Sequence, residues 1–234
     1  MNITPAMLQT FPVLKTLPEQ ILLQLCQQSS AKKYSRRGIV LNAGEQEEFV
    51  CFLFEGRLQG VDFTIDGREV GLYFVEPGDF CGELALFDDS PQPEYVIALT
   101  SVLVVAIPRK ALREVIFSTP QAMQLIAARV ASRVRELGKQ RALLGLPNIA
   151  QRVCCQLWLL VADKIKDGEN CSEIHNPPTH MEIAIMLNLS RETVTRVFQS
   201  LQQRQIVQRD GPARLLVHDL AALKQLADGS EDLQ

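Results

Sequence analysis

Apolar and polar positions change their rhythm three times along the chain. Over residues 5–30 the spacing of Leu22, Leu25 and Cys26 behind Pro18 and Glu19 predicts short helices. From Gly38 to Ile107 the texture becomes β-rich, with runs at 49–54, 57–65, 69–75, 95–99 and 102–107. Asp66-Gly67 between two of these runs predicts a tight hairpin, because both turn residues must tolerate positive φ. Gly44, Gly56 and Pro77-Gly78-Asp79 mark further turns. Many short strands at this spacing predict a small antiparallel barrel or sandwich.

After Pro108 the pattern turns helical. Residues 111–117 form a short predicted helix, and Pro120 opens a long one. Within it Met123, Val130, Leu137 and Leu144 recur every seven residues, with Ala127 and Val134 four residues on from a seam position. This is an a/d seam of about three heptads, flanked by Arg129, Arg133, Arg135, Glu136 and Lys139. The seam is read as a helix packed against a twin, hence a homodimer; the alternative is an amphipathic helix on its own core. Gly145, Pro147 and Asn148 read as a hinge, with Asn148 capping a helix that runs to about Lys166.

The most specific pattern spans 179–201. Thr179 and Glu182 have capping-box spacing, and Pro177-Pro178 stop the helix from extending backwards. Asn188 stands where a tight turn needs a left-handed residue, and Ser190 is placed to cap a second helix with the stripe Val194, Val197, Phe198, Leu201. Two capped helices around a tight turn describe a helix-turn-helix. Arg191, Glu192 and Arg196 lie off the apolar stripe on the first turns of the second helix, where a recognition helix meets base edges. Arginine grips guanine O6 and N7 with two hydrogen bonds, and a carboxylate accepts from cytosine N4. The competing reading is an i,i+4 surface pair between Glu192 and Arg196. Thr179, Ser190, Thr193 and Thr195 complete the candidate DNA-facing set. Two strand-like runs, 206–208 and 214–217, then flank Asp210-Gly211-Pro212 as a wing, with Arg209 and Arg214 placed to touch phosphates.

Composition first pulls the other way. With 24 Lys and Arg against 27 Asp and Glu among 234 residues, the net charge is −3, which gives no hint of nucleic acid. Sorted by position, 190–209 holds four arginines and one acid, while much of the acid lies in loops, the strand-rich half and the tail. Charge position, not its total, points to DNA. The length suits two modest domains. The longest apolar run, 96–107, is far short of the roughly 20 residues a membrane helix needs. Residues 1–10 show no basic-then-apolar signal, and six cysteines lack CxxC spacing. The expectation is a cytoplasmic protein with reduced thiols and no membrane contact.

These features in this order resemble the cyclic-AMP receptor protein/FNR (Crp-Fnr) superfamily of bacterial transcription regulators, over nearly the whole chain. The resemblance implies an α+β fold: an N-terminal cyclic-nucleotide-binding-like β-roll (1–118), a dimerisation helix and hinge (119–146) and a C-terminal winged helix-turn-helix (147–234). Ser190-Arg191-Glu192-Thr193 with Arg196 matches the family's recognition-helix signature without interruption, which implies readout of a TGTGA-like palindrome. An effector would bias the hinge between Gly138 and Pro147 and align two recognition helices about 34 Å apart. RNA polymerase is the implied partner if the protein is an activator.

The segment from Pro77 to Phe87 resembles the family's effector cassette, with Gly82, Glu83 and Leu84 in place. Where cyclic-AMP-binding members carry Arg-Ser for the phosphate, this chain has Pro93-Glu94; where they carry Thr-Ser for adenine, it has Leu137-Gly138. The phosphate loses a charge-assisted partner, worth about 1.5–3 kcal/mol, and meets an acid. The reading is a retained barrel whose ligand is not cyclic AMP, with cyclic di-GMP as an alternative effector. No cofactor is assigned. Only Cys26 lies near the N-terminus, which speaks against an iron–sulfur cluster. His175, His180 and His218 all fall in the DNA-binding half and read as surface or structural residues, not haem ligands. Cys81 is the one thiol whose oxidation would disturb the cassette; the plainer reading is an inert buried thiol. No catalytic or metal motif is present, so an enzyme is not expected. The rival to a DNA-binding regulator is an effector- or redox-sensing module acting through protein partners.

Overall fold

The computed structural model describes residues 2–161, 170–211 and 213–233. By internal packing the chain divides into two units, Met1–Leu137 and Gly138–Gln234. The division falls within the long helix, whereas the sequence reading treats 119–146 as a segment of its own.

Unit 1 begins with three short helices, α1 (Pro5–Leu8), α2 (Pro12–Lys15) and α3 (Glu19–Gln28). Eight strands follow: β1 (Ser30–Tyr34), β2 (Ile39–Leu41), β3 (Phe49–Glu55), β4 (Leu58–Phe63), β5 (Glu69–Val75), β6 (Phe80–Cys81), β7 (Tyr95–Ala98) and β8 (Val102–Pro108). They form two antiparallel sheets, in the orders β1-β8-β3-β6 and β2-β7-β4-β5. A 3₁₀ turn, Glu83–Leu86, follows β6, and α4 (Arg109–Ser118) and α5 (Pro120–Leu144) follow β8.

Sheet position explains why β3 and β8 read as continuous apolar runs rather than alternating ones. Leu53, Val102, Val104 and Ala106 face the second sheet with Leu58, Val75, Val96 and Ala98. The opposite side chains, Val50, Phe52, Leu103, Val105 and Ile107, are covered by Leu8, Phe11, Leu14, Leu22 and Leu25 of the N-terminal segment and by Leu112, Ile116 and Ile126 of α4 and α5. A strand covered on both faces has no polar side to show. β4 and β5 do form a hairpin across Asp66-Gly67, with Gly67 at φ 77° and its N–H donating to Thr64 O at 2.8 Å, but Asp66 does not take the positive φ expected of it.

Unit 2 holds the end of α5, then α6 (Ile149–Val161), β9 (Ser172–His175), α7 (His180–Leu187), α8 (Arg191–Gln203), β10 (Val207–Asp210), β11 (Arg214–Val217) and α9 (Leu220–Asp228). Asn148 Oδ1 accepts from Gln151 N at 3.1 Å, the cap expected for α6. The expected end of that helix near Lys166 lies outside the described residues, as does Pro212 of the wing turn. Val153, Leu157, Leu187, Val194, Phe198, Leu201, Val217 and Leu223 make one core.

Two further sequence expectations need correction. The β texture begins at Ser30, not Gly38, because β1 pairs with the inner strand β8 across the full run Ser30–Tyr34. The wing is three-stranded, in the order β10-β11-β9, with His175 opposite Arg214. α5 is continuous through Gly138 to Leu144, the two units divide between Leu137 and Gly138, and the helical run breaks at Gly145–Asn148.

Candidate DNA-binding surface and sensor site

The helix pair of unit 2 is built by reciprocal local bonds. Thr179 Oγ1 accepts from Glu182 N at 3.2 Å while Glu182 Oε2 accepts from Thr179 N at 3.0 Å, a complete capping box. Asn188 takes the left-handed conformation at φ 51°, and Leu189 N donates to Ala184 O at 2.9 Å. Ser190 Oγ then accepts from Thr193 N at 3.2 Å and caps α8. Val194, Val197, Phe198 and Leu201 are buried, which turns Arg191, Glu192 and Arg196 outward. Among the described residues none of these three makes an ion pair, so the i,i+4 pairing of Glu192 with Arg196 is not formed. Glu192's carboxyl sits below the usual range because its own backbone N–H and the Ser190 hydroxyl bind it, with Arg191 and Arg196 nearby.

The hydroxyls of the candidate set make structural bonds within the helix pair. Thr179 and Ser190 are caps, and Thr193 Oγ1 lies 3.0 Å from Ser190 Oγ. Thr195 Oγ1 donates to Arg191 O at 2.9 Å and lies 3.0 Å from His180 Nδ1. His180 in turn stacks on Phe198 with ring centroids 4.3 Å apart, which makes it a packing residue between α7 and α8. Its pKa is lowered by burial and by the cations Arg209 and Arg191, so Arg209 belongs to the same positive region as α8. Arg209 makes no ion pair among the described residues. Arg214 does: its Nη2 lies 2.5 Å from Asp210 Oδ2 and its Nε 3.7 Å from Glu173 Oε1. Arg204, counted in the positive stretch, is bound to Glu231 at 2.9 Å.

The candidate sensor cassette of unit 1 is organised by α5. Gly82, at φ 80°, turns the chain where a side chain would be strained and would crowd Leu41 and Phe49 O. Glu83 follows it, only 3% exposed, and receives Arg133 Nη1 at 2.5 Å. Arg133 Nη2 donates to Phe80 O at 2.8 Å. One helical turn earlier, Arg129 clamps Asp79 through Nε at 2.9 Å and Nη2 at 2.6 Å. Burial opposes the charge on both arginines, and the acids more than offset it: Asp79 chiefly for Arg129, Glu83 for Arg133. Glu94 points inward and is buried; Tyr73 Oη donates to its carboxyl, as does Gln92 Nε2 at 3.0 Å. The Arg133 guanidinium lies 4.4 Å from the centre of the Tyr73 ring.

The structure thus brings Gly82, Glu83 and Glu94 together with Asp79 of the same cassette, and adds Tyr73, Gln92, Arg129 and Arg133, which sequence reasoning did not assign to this site. Leu84 and Pro93, by contrast, point to solvent. Leu137 is 37% exposed, and nothing lies within 4 Å of a side chain built at Gly138. Cys81 is fully buried, with its thiol pushed up by Cys51 and by burial, the signature of an inert thiol. None of the six cysteines is in a disulfide. Along the seam of α5, Met123 and Val130 lean on unit 1's own core, Leu144 is half-buried, and Val134 is 64% exposed. Among the described residues no group of side chains is arranged to hold a metal, and no helix is long and apolar enough to cross a membrane.

Comparison with known proteins agrees with both halves. Residues 31–119 match the cyclic nucleotide-binding domain, and residues 151–226 match the Crp-like helix-turn-helix domain. The chain is 26% identical over 180 residues to the cAMP-activated global transcriptional regulator CRP of Pasteurella multocida, covering 76% of this chain and 86% of that one. It is 28% identical over 192 residues to the CRP-like cAMP-activated global transcriptional regulator of Mycobacterium tuberculosis, covering 82% and 86%. FixK2 from Bradyrhizobium japonicum shares the fold, with a TM-score of 0.72 at 21% identity over 85% of this chain and 96% of that one. A sensor-type β-roll followed by a capped helix pair with an outward arginine face, each matched by its own domain model, places this chain in the Crp-Fnr superfamily of DNA-binding transcription regulators.

Proposed function

We propose that the protein acts as a homodimer that reads a TGTGA-like palindrome, and that its sensor barrel does not bind cyclic AMP in the usual way. In this reading 1–118 senses, 119–146 dimerises and 147–234 binds DNA. One observation carries it: Arg191 and Arg196 stand exposed on the first turns of a rigidly capped α8, with no acid paired to them among the described residues. Desolvating an arginine that is already in an ion pair would cost that pair; these two have none to lose. Arg191 and Arg196 are assigned to guanine edges, Glu192 to cytosine N4 and Arg209 to phosphate. Val134 and Leu137, exposed apolar side chains one turn apart on α5, support a twin helix there.

For the sensor, the support is Glu94. A buried carboxyl where relatives place a phosphate-binding pair repels the ligand's charge instead of pairing with it. Mobility shift on a TGTGA palindrome tests the DNA assignment. Wild type should bind the palindrome and lose it to a scrambled half-site. Arg191→Ala that binds as tightly as wild type refutes the role given to that side chain. Calorimetric titration with cyclic AMP should give no heat of tight binding, and a submicromolar dissociation constant refutes the reading of Glu94.

A further inference from the structure

Tyr73, Glu83, Gln92, Glu94 and Arg133 are each less than one-tenth exposed, an unusual concentration of polar groups inside a small barrel. Buried charge is tolerated only when it is paired and hydrogen-bonded. Here the five supply one another's partners. Gln92 and Tyr73 donate to Glu94, the Tyr73 ring lies under the Arg133 guanidinium, and Arg133 grips Glu83 and Phe80 O. Only Arg133 Nε is left without an acceptor in this network. Room for the ring comes from Gly60, directly across from Tyr73 in the β4–β5 pair; any Cβ there would lie 2.5 Å from the ring.

A cyclic nucleotide entering such a barrel brings two things, an anion and a flat ring. This chain carries counterparts of both covalently: the Glu94 carboxyl is an acid placed in the interior, and the Tyr73 phenol is a flat ring stacked on a cation of α5. A group already tethered in place pays none of the freedom that a diffusing ligand loses on binding. It also biases a conformational equilibrium permanently, not in proportion to a ligand's concentration.

We infer that Tyr73 and Glu94 are a built-in ligand of the sensor barrel, holding α5 to it through Arg133, so that the protein takes up its DNA-binding state with no cyclic nucleotide. The DNA-binding part of this inference rests on the function proposed above. Tyr73 and Glu94 are positioning residues that act on α5; Gly60 leaves space for the Tyr73 ring and Gln92 holds the Glu94 carboxyl.

The test uses nucleotide-free, full-length protein and two independent readouts: hydrogen exchange of the α5 amides over 126–137, and mobility shift of the palindrome with and without saturating cyclic AMP or cyclic GMP. Wild type should bind DNA equally well, within about twofold, in all three conditions. Tyr73→Ser with Glu94→Ser should speed α5 exchange by about tenfold and weaken nucleotide-free DNA binding by a similar factor. Tyr73→Phe with Glu94→Gln keeps the volume and removes the phenol–carboxylate hydrogen bond, so it should move both readouts the same way by less. Exchange that is unchanged in both double variants overturns the inference, as does a wild type that needs a nucleotide to bind DNA. Exchange that accelerates in a protein shifting no DNA supports the anchoring and overturns the palindrome reading.

Discussion

Arginine is used in opposite ways in the two units. In the sensor unit Arg129 and Arg133 are drawn in, one turn apart on α5, and each is closed by an acid from the cassette. On α8 Arg191 and Arg196 are turned out, and no acid answers them among the described residues. An arginine enclosed with its counter-ion holds a fold together. One that a rigid helix keeps unpaired at the surface is poised for a partner from outside. The wing holds both kinds: Arg214 is occupied by Asp210 and Glu173, whereas Arg209 has no such acid among the described residues.

The sharpest way to break this contrast is to remove one arginine of each kind and measure stability. Arg133→Met leaves Glu83 buried without a counter-charge, and should cost about 3–5 kcal/mol in urea unfolding of the sensor unit. Arg191→Ala should change unfolding by less than about 0.5 kcal/mol, as surface substitutions do. The order reverses for DNA binding. Arg191→Ala or Arg196→Ala should weaken binding by about 1–3 kcal/mol for each guanine edge left ungripped, seen as a right-shifted titration of the palindrome.

A smaller effect separates the two wing arginines. Arg209→Ala should lower the slope of log affinity against log salt by about one for each phosphate left unneutralised, and Arg214→Ala by less, because Asp210 already screens it. Equal slopes for the two variants would remove the distinction between paired and unpaired cations. The smallest expected effect is on pH. Burial raises the pKa of Glu94 even though the Tyr73 hydrogen bond opposes it. A carboxyl whose folded pKa is raised favours the fold most when protonated. Its contribution is complete below the ordinary carboxylate range and is lost as pH rises through the folded value. The stability of wild type relative to Glu94→Gln should therefore fall as pH rises through and above the ordinary glutamate range. The difference cancels other carboxyls such as Glu47, also raised by burial, and Asp219, lowered by its cap to Ala222 N.

The same contrast explains what can be read in the sequence. The helix-turn-helix is legible to the residue because its determinants are local: a cap and its target three residues apart, a left-handed Asn, a stripe on one face. The long apolar strands are legible as strands, but not as strands covered on both faces. β1 and β9 escape a reading by pattern, the first because Lys32 and Lys33 interrupt it, the second because nothing local marks Ser172–His175 as the partner of β11. The sensor network is legible only as an anomaly. Glu94 stands out as an acid in the wrong place, but its donor Tyr73 lies 21 residues upstream and Arg133 meets Glu83 across 50 residues. In the sequence Arg129 and Arg133 are only charges beside a heptad seam. Periodicity places a side chain on a face; it does not reveal which distant acid that face will meet.

The central claim is that Arg191 reads a base. Fluorescence anisotropy on two palindromes, one with the TGTGA half-sites and one with the contacted guanine replaced in each, tests it with wild type and Arg191→Ala. Wild type should discriminate between them by about 1–3 kcal/mol per half-site, and Arg191→Ala should bind both equally. If Arg191→Ala keeps the full discrimination, the recognition assigned to α8 is wrong.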